Sequence, residues 1–167
     1  MTAVPLRRGA LLQSLHFESA DQIPAAMWPC RRTFLDLDYL RTLDETLASQ
    51  MDMRYAVLTR AGRAVAGAVF QRVDFDPEIA FPSIQKQSST WFSTIARRMR
   101  VSGVLCGNVF ATGPHGYWTR DDLSTAELFD WLAQTLEHFR SQLARSGRKT
   151  LGVIKDLSLD TAEALSN

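Results

Sequence analysis

The sequence has few cysteines, and their scarcity limits the kinds of protein that it can be. The 167 residues include two, Cys30 and Cys106, which lie far apart in the chain. Neither has a second cysteine or a histidine at the spacing of a metal site, so the sequence predicts neither a bound metal nor a disulfide framework. Reduced thiols are typical of cytosolic proteins, and we therefore expect a cytoplasmic location.

An excess of charge of one sign is also missing. The 19 lysines and arginines nearly balance the 18 aspartates and glutamates, and the formal net charge is +1. Nucleic-acid-binding proteins usually have a strong basic bias, so we do not expect a nucleic-acid partner. A basic cluster at Arg97, Arg98 and Arg100 leaves such a partner, or a membrane surface, as the weakest alternative.

Long apolar runs are absent as well. None approaches the roughly 18 residues that a membrane span requires, and the apolar stretch after Arg7-Arg8 is too short for a signal peptide. The composition, 46% hydrophobic and 22% charged, is that of a globular domain. No internal repeat or linker divides the chain, and we expect one domain over residues 1–167.

Hydrophobic periodicity predicts an α/β (α+β) chain in which strands and helices alternate. The expected elements are a strand at 11–17, a helix at 33–50, a hairpin at 54–73, a loop-rich excursion at 74–89, a helix at 91–99, buried strands at 104–106 and 109–111, a helix at 123–145, a buried strand at 151–154 and the start of a helix at 161–165. Asp36, alone or with Thr33, can cap the first long helix. Ser124 and Glu127 form a capping box at the start of the other. A helix crossover predicts that the last strand is parallel to the one before it.

Glycine is concentrated in one stretch, residues 101–118, which holds four of the nine glycines in the chain. Gly107 interrupts a strand pattern, which indicates a bulge or a close approach by other backbone or by a ligand. Gly113 and Gly116 belong to a turn-rich loop around His115. A strand, a glycine loop and a helix can form a ligand site, because the loop bares backbone N–H groups. The alternative is a tight connection that needs glycine for its geometry alone.

The order of elements resembles the GNAT-type acyl-CoA N-acyltransferase superfamily. The turn R-A-G-R-A-V-A-G at residues 60–67 is similar to the second hairpin of that family. The phrases C-G-N-V-F-A-T-G-P-H-G at 106–116 and I-K-D at 154–156 are similar to an uncharacterised, Fem-like bacterial subgroup. The resemblance implies a mixed sheet, flanked by helices, in which an antiparallel meander precedes a helix crossover to a parallel strand.

The resemblance also implies an activity, the transfer of an acyl group from acetyl-CoA or another acyl-CoA to an amine or an aminoacyl or peptide substrate. Such a reaction requires a base for the amine proton and a donor to the thioester oxygen. On this basis His115 is the candidate base and Asn108 the residue that orients substrate. The candidate cofactor contacts are Val109, Phe110 and Ala111 beside the acyl arm, and Gly113, Gly116 and Arg120 at the phosphates.

Two departures from the family pattern favour a different outcome. The pyrophosphate signature of the family is missing before the long helix, and Asp121-Asp122 stands there instead. The closing part of the fold after Ile154 is missing too, so we expect a chain that is incomplete at its C-terminus, with a second copy or domain completing the sheet. The alternative function is therefore a non-catalytic domain of acyltransferase shape that binds protein or substrate.

Overall fold

A computed structural model describes residues 2–5, 12–47, 51–75, 101–109, 113, 116–120, 122–144 and 150–155. Its strands are β1 (Thr2–Pro5), β2 (Leu12–Phe17), β3 (Asp52–Arg60), β4 (Arg63–Phe75), β5 (Val101–Cys106), β6 (Tyr117–Thr119) and β7 (Thr150–Ile154). Its α-helices are α1 (Leu37–Leu47) and α2 (Thr125–Ala144). Short 3₁₀ helices occupy Ala20–Gln22, Ala25–Met27 and Thr33–Leu35.

These strands form one mixed sheet in the order β1-β2-β3-β4-β5-β7, and β6 pairs with β4 beside β5. Neighbours from β1 to β5 are antiparallel, whereas β5 and β7 are parallel. The α2 crossover joins the parallel pair, as a parallel connection needs an intervening segment of this length. The predicted meander followed by a crossover to a parallel strand is therefore confirmed.

The hairpin between β3 and β4 closes through a two-residue turn. Arg60 pairs with Arg63, and Ala61 and Gly62 between them have φ values of 50° and 78°. Two consecutive positive φ angles are typical of a type I′ turn, whose twist matches that of the flanking strands. The hairpin predicted from the sequence is thus confirmed, although its strands extend further than the pattern indicated.

Two cores lie on opposite faces of the sheet. The α1-side core joins the 3₁₀ turns and α1 to β2–β4, and it includes Tyr55, whose hydroxyl donates to Asp44 Oδ1 at 2.7 Å. The indole of Trp28 belongs to it too, and its Nε1 donates to the Leu35 carbonyl at 2.7 Å. The α2-side core packs Leu132 and other residues of α2 on alternate residues of β3, β4 and β5.

The first long helix begins later than predicted. Asp36 has an extended backbone, with ψ at 136°, and it separates the 3₁₀ turn at Thr33–Leu35 from α1. Its Oδ1 accepts a hydrogen bond from the Asp38 N–H at 3.0 Å. Asp36 alone is therefore the cap, because its side chain replaces a backbone acceptor that the helix lacks.

Three strand predictions require correction. Val109 lies in a turn rather than in a strand, and β6 forms eight residues later at Tyr117. The strand β7 is not buried: Leu151 is 59% exposed and Val153 46% exposed. The strand β1 was not predicted, because four residues ending in Pro5 are too short for a periodic signal. The loop predicted at 74–89 begins later than expected, because β4 runs to Phe75. Residues 76–89 of that loop, the helix predicted at 91–99 and the start of a helix predicted at 161–165 lie outside the described residues.

Candidate functional site

The candidate site lies beside Val69 of β4. At this point the chain that pairs with β4 is interrupted between β5 and β6. The Gly107 N–H donates to the Val69 carbonyl at 3.2 Å, and the Val69 N–H donates to the Gly116 carbonyl at 2.8 Å. In a regular antiparallel pair, one residue would make both bonds. Here the chain leaves β4 after the bond at Gly107 and returns to it at Gly116. Residues 108–115 between these two bonds are called the excursion below.

The two ends of this excursion pack against each other. A Cβ at Gly116 would lie 2.8 Å from Gly107 Cα and 2.9 Å from Gly107 N, which leaves no room for a side chain. Gly107 has a φ of 151°, a conformation that favours glycine. Both glycines are therefore needed where the two ends of the excursion meet. This meeting point of Gly107 and Gly116 is called the neck below, and Gly116 is buried there.

The parallel pair ends at the same place. The Lys155 N–H donates to the Cys106 carbonyl at 2.9 Å, one residue beyond the last β5–β7 partners. Lys155 Nζ then donates to the Asn108 carbonyl at 3.1 Å. The excursion thus begins beside the carboxyl ends of two parallel strands, a position where α/β sheets often hold their ligands.

Gln71 anchors the start of the excursion. Its Oε1 accepts from the Val109 N–H at 2.8 Å, and the residue is 1% exposed. Its Nε2 is buried and has no hydrogen-bond partner within the described residues. A buried donor without an acceptor costs about 1–3 kcal/mol, so this amide has an unmet hydrogen-bonding requirement beside Val109.

The strand β6 exposes backbone groups at its outer edge. The Arg120 N–H donates to the Val65 carbonyl at 2.9 Å, and Gly116 and Val69 are joined in the same register. Because hydrogen-bonded and non-hydrogen-bonded pairs alternate in an antiparallel ladder, the N–H and C=O groups of Tyr117 and Thr119 point away from β4. In the described part of the chain β7 pairs with β5 alone, so no strand covers these groups.

The start of α2 is closed by its own capping box, as predicted. Glu127 Oε2 accepts from the Ser124 N–H at 3.0 Å, and the Glu127 N–H donates to Ser124 Oγ at 3.3 Å. Arg60 donates to Glu127 Oε1 at 2.8 Å and to the Asp122 carbonyl at 2.7 Å. The hydrogen bonds from Ser124, with a smaller effect of Arg60, lower the pKa of Glu127. The first turn thus holds an anion of the chain itself, which weakens it as a phosphate site.

Arg120 lies between β6 and α2. Its backbone is held on Val65, and its Nε is buried with no hydrogen-bond partner in the ranges described. A guanidinium N–H of this kind suits a carboxylate or phosphate oxygen.

Cys106, at the end of β5, is not a nucleophile. It is fully buried, and this burial raises the pKa of its thiol to about 12. The thiolate is the reactive form of cysteine, so the group stays protonated and inert at neutral pH.

A second polar cluster lies apart from the excursion, between β2 and α2. Ser14 Oγ accepts from Trp131 Nε1 at 2.9 Å and lies 3.0 Å from His16 Nε2. The His16 and His138 rings are 4.6 Å apart between centroids. Desolvation, followed by the charge of His138, lowers the pKa of His16 to about 4. This histidine is therefore neutral in the folded protein near pH 7.

The structure brings together some of the site residues predicted from the sequence. Asn108, which is 4% exposed, Val109 and Gly116 gather at the neck, and Arg120 lies at the far end of β6. Gly113 has a φ of 109°, which requires glycine. Phe110, Ala111 and His115 lie outside the described residues, so their predicted roles stay predictions, as does the phosphate contact at Gly116.

Gln71 was missed as a site residue. The available signal was a glutamine at the end of the apolar run 64–70, since a polar residue in a buried strand usually has a specific partner. The sequence puts Lys155 at the exit of the last strand. Its contact with Asn108 could not be predicted, because it depends on the parallel register of β5 and β7.

No group of three or more potential metal ligands occurs among the described residues. Over the same residues, no helix has the length and hydrophobicity to cross a membrane. Comparison of the chain with family models, with curated proteins and with solved structures finds no match.

Proposed function

We propose that the protein is an N-acyltransferase that moves an acyl group from acetyl-CoA, or another acyl-CoA, to an amine. The observation that carries the proposal is the split of the sheet beside Val69. There β7 accompanies β5 only as far as Cys106, while β6 continues along β4 with an outer edge that no strand of the described residues covers. The sequence resemblance to GNAT-type enzymes points to the same reaction.

The pantetheine arm of an acyl-CoA suits this edge, because it is an extended chain with two amide groups. The outward N–H and C=O groups of Tyr117 and Thr119 provide one donor and one acceptor each. A ligand that pairs with them adds to the sheet as a strand would. The arm would then lie along β6 with its thioester towards the neck of the excursion.

The chemistry at the neck would be attack of a neutral amine on the thioester carbonyl carbon. A C–N bond forms, the C–S bond breaks, the amine loses a proton and the CoA thiolate takes one. A donor to the developing oxyanion stabilises this step, and Gln71 Nε2, which has no partner among the described residues, is a candidate beside Val109. Asn108 remains the candidate for orienting substrate and His115 for the base.

The phosphates require a different anchor from the start of α2, which the Ser124–Glu127 box occupies. Arg120 is the candidate, since it follows β6 directly and its Nε lacks a partner among the described residues. A free helix start would offer several backbone N–H donors to the phosphates, whereas Arg120 is a single side chain. We therefore expect the acyl and pantetheine parts of acyl-CoA to supply most of the affinity.

Calorimetric titration and thermal unfolding with acetyl-CoA test the proposal. Acetyl-CoA at about 100 times its Kd stabilises the fold by about 2.7 kcal/mol, which is a rise in Tm of roughly 5–10 °C for this size of domain. Turnover is then screened with amines and with aminoacyl or peptide acceptors of increasing size. Replacing His115 by Ala is expected to lower turnover about 100-fold if it is the base.

The variant Thr119→Pro isolates the edge of β6. Thr119 is exposed and its N–H points outwards, so proline removes a donor to the ligand without removing a bond to β4. We expect acetyl-CoA to bind roughly three- to tenfold more weakly. Thr119→Val, which keeps the N–H, and Thr125→Pro, at the first residue of α2 where proline is tolerated, are the controls and should bind normally. Equal binding by all three variants would remove the edge of β6 from the site.

A specific observation favours the second candidate, a non-catalytic domain that binds protein or substrate. The anionic first turn of α2, with Glu127 held by Arg60, opposes a pyrophosphate. A folded protein with no Tm shift in acetyl-CoA would support this alternative. Binding without turnover of any amine would support a domain that keeps the groove and lacks the reaction.

A further inference from the structure

Apolar side chains are exposed on the face of the sheet that is turned away from α2. Val104 of β5 belongs to the α2-side core, and alternate residues of a strand share a face. In the registers of β4, β5 and β7, Val73 and Leu151 therefore lie in one row on the other face, and both are exposed. Leu105 and the exposed Val153 lie in the next row of that face. Val73, Leu105, Leu151 and Val153 are called the open apolar face below.

Gly103 forms a shallow groove in the open apolar face. It lies between Val73 and Leu151 in their row, and it has no side chain to fill the space above β5. Among the described residues, the nearest heavy atoms to a Cβ at Gly103 would be two backbone oxygens at 3.8 Å. The face extends about 10 Å across the three strands and about 7 Å along them. It can therefore hold an extended hydrocarbon chain of medium length.

The outer edge of β6 leads to this face. Both β5 and β6 pair with β4, so they lie in one line, and β7 lies beside β5. A ligand on the outer edge of β6 is therefore in line with β7 and meets the carboxyl end of that strand. On the α2 side of this end, Ile154 packs against the α2-side core. Val153 is exposed on the other side, so the room for a chain that continues past the neck lies there.

The aliphatic stem of Lys155 connects the neck to the open apolar face. A Cβ at Gly107 would lie 3.0 Å from Lys155 Cβ and 3.8 Å from Leu105 Cγ, which puts the stem on the face that holds Leu105. Lys155 Nζ donates to the Asn108 carbonyl at 3.1 Å, so the ammonium group is held at the excursion. The methylene groups of the stem lie beside the neck. They continue the apolar surface from Val153 to the point where the thioester would lie.

We propose that the acyl-CoA carries a medium-chain fatty acyl group, about the length of octanoyl, whose tail lies on the open apolar face. The proposal rests on the acyltransferase function proposed above and names the class of its donor. The thioester would stay at the neck, and the tail would run past the Lys155 stem and over Val153 towards Gly103 and Leu151. Contact with the tail removes these apolar side chains from water, which favours binding. An acetyl group would end at the neck and leave the face exposed.

Titration calorimetry of the full chain with acetyl-, butyryl-, hexanoyl- and octanoyl-CoA tests the proposal. These thioesters have the same phosphates and pantetheine arm, so their affinities differ only through the tail. A methylene group that is fully buried improves affinity about fourfold, and one that lies on an open face about twofold. We therefore expect octanoyl-CoA to bind roughly 30- to 60-fold more tightly than acetyl-CoA, at one site per chain.

Two other outcomes would contradict the proposal in different ways. Acetyl-CoA that binds as tightly as octanoyl-CoA would overturn the medium-chain donor and leave the acyltransferase function standing. Absence of binding by every thioester would overturn both.

Two uncharged substitutions locate the tail. Val153→Thr and Leu151→Gln replace exposed apolar surface by polar groups of similar size. Each should lower the ratio of octanoyl-CoA to acetyl-CoA affinity about threefold, and the ratio cancels any effect that is common to both ligands. Ala133→Gln, at an exposed position of α2 on the other side of the sheet, is the control and should keep the full ratio. An unchanged ratio in both β7 variants would place the tail elsewhere and overturn the proposal.

Discussion

The strands β3 and β7 are both apolar in sequence, yet they lie in very different surroundings. In β3, Tyr55 and Leu58 are 0% exposed, whereas in β7 Leu151 is 59% exposed. The α1-side core covers one face of β3 and the α2-side core covers the other. Among the residues that the structure describes, β7 is packed only on the face that holds Gly152, against Leu136 of α2. The difference indicates that the centre of the sheet supplies the stability, while β7, beside which the sheet splits, has one accessible face.

The largest expected effect comes from shortening one leucine in each strand. Leu58→Ala should lower the free energy of unfolding by about 3 kcal/mol, because it leaves a cavity between packed elements. Leu151→Ala should change it by less than about 0.5 kcal/mol, as an exposed side chain loses little. Urea denaturation of both variants measures the difference. Similar losses would mean that the outer face of β7 is covered in the folded protein.

Two glycines sharpen the comparison further. A Cβ at Gly67 of β4 would lie 2.7 Å from Trp28 Cζ3 and 2.3 Å from Trp118 Nε1, which are parts of rigid rings. Gly67→Ala should therefore cost about 3 kcal/mol. At Gly103 of β5 the nearest atoms are 3.8 Å away, and Gly103→Ala should be neutral or slightly stabilising. Thermal unfolding compares them, and a tolerated Gly67→Ala would show that this packing is loose.

The protonation of His16 in β2 makes the stability of the fold depend on pH. Its pKa in the folded protein is about 4, below the ordinary value of 6.5. The unfolded chain therefore takes up the proton first, and stability is lost as pH falls from about 6.5 towards about 4. The loss at pH 5 is about 2 kcal/mol. The variant His16→Gln should show a smaller loss than the natural chain over this range, and His138→Gln an intermediate one. Parallel pH profiles for all three would contradict the assignment.

The smallest expected effect concerns the start of α2. Ser124→Ala removes the acceptor of the Glu127 N–H and should lower stability by about 1 kcal/mol. Thr125→Ala, one residue later and exposed, should lie within about 0.5 kcal/mol of the natural chain. Denaturant midpoints separate the two. Equal midpoints would show that the capping box adds no stability.

Local signals in the sequence identified most of the elements. The periodic leucines of α2 and the residues 61–62 of the hairpin turn depend on near neighbours, so both were predictable. The extent of burial was not, since the exposed face of Leu151 and Val153 depends on where α1 lies in three dimensions. A short apolar run has the same sequence pattern whether one face or both faces of the strand are covered.

The neck of the candidate site was only partly predictable. Gly107 and Gly116 were recognisable as special positions, and their close approach explains why. Both glycines are hydrogen-bonded to Val69. The sequence could not predict this shared partner, because β6, which follows the excursion, has three residues and gives too short a pattern. Gln71 was missed for the same reason, as its contact with Val109 arises only from that geometry.

Residue-resolved amide hydrogen exchange, with and without acetyl-CoA, tests the central claim most directly. Without ligand, the outward amides of Tyr117 and Thr119 should exchange much faster than that of Trp118, which is bound to β4. Saturating acetyl-CoA should slow exchange at Tyr117 and Thr119 and leave β2 and β3 unchanged. Binding that protects other amides, with no change at these two, would contradict a site along the edge of β6.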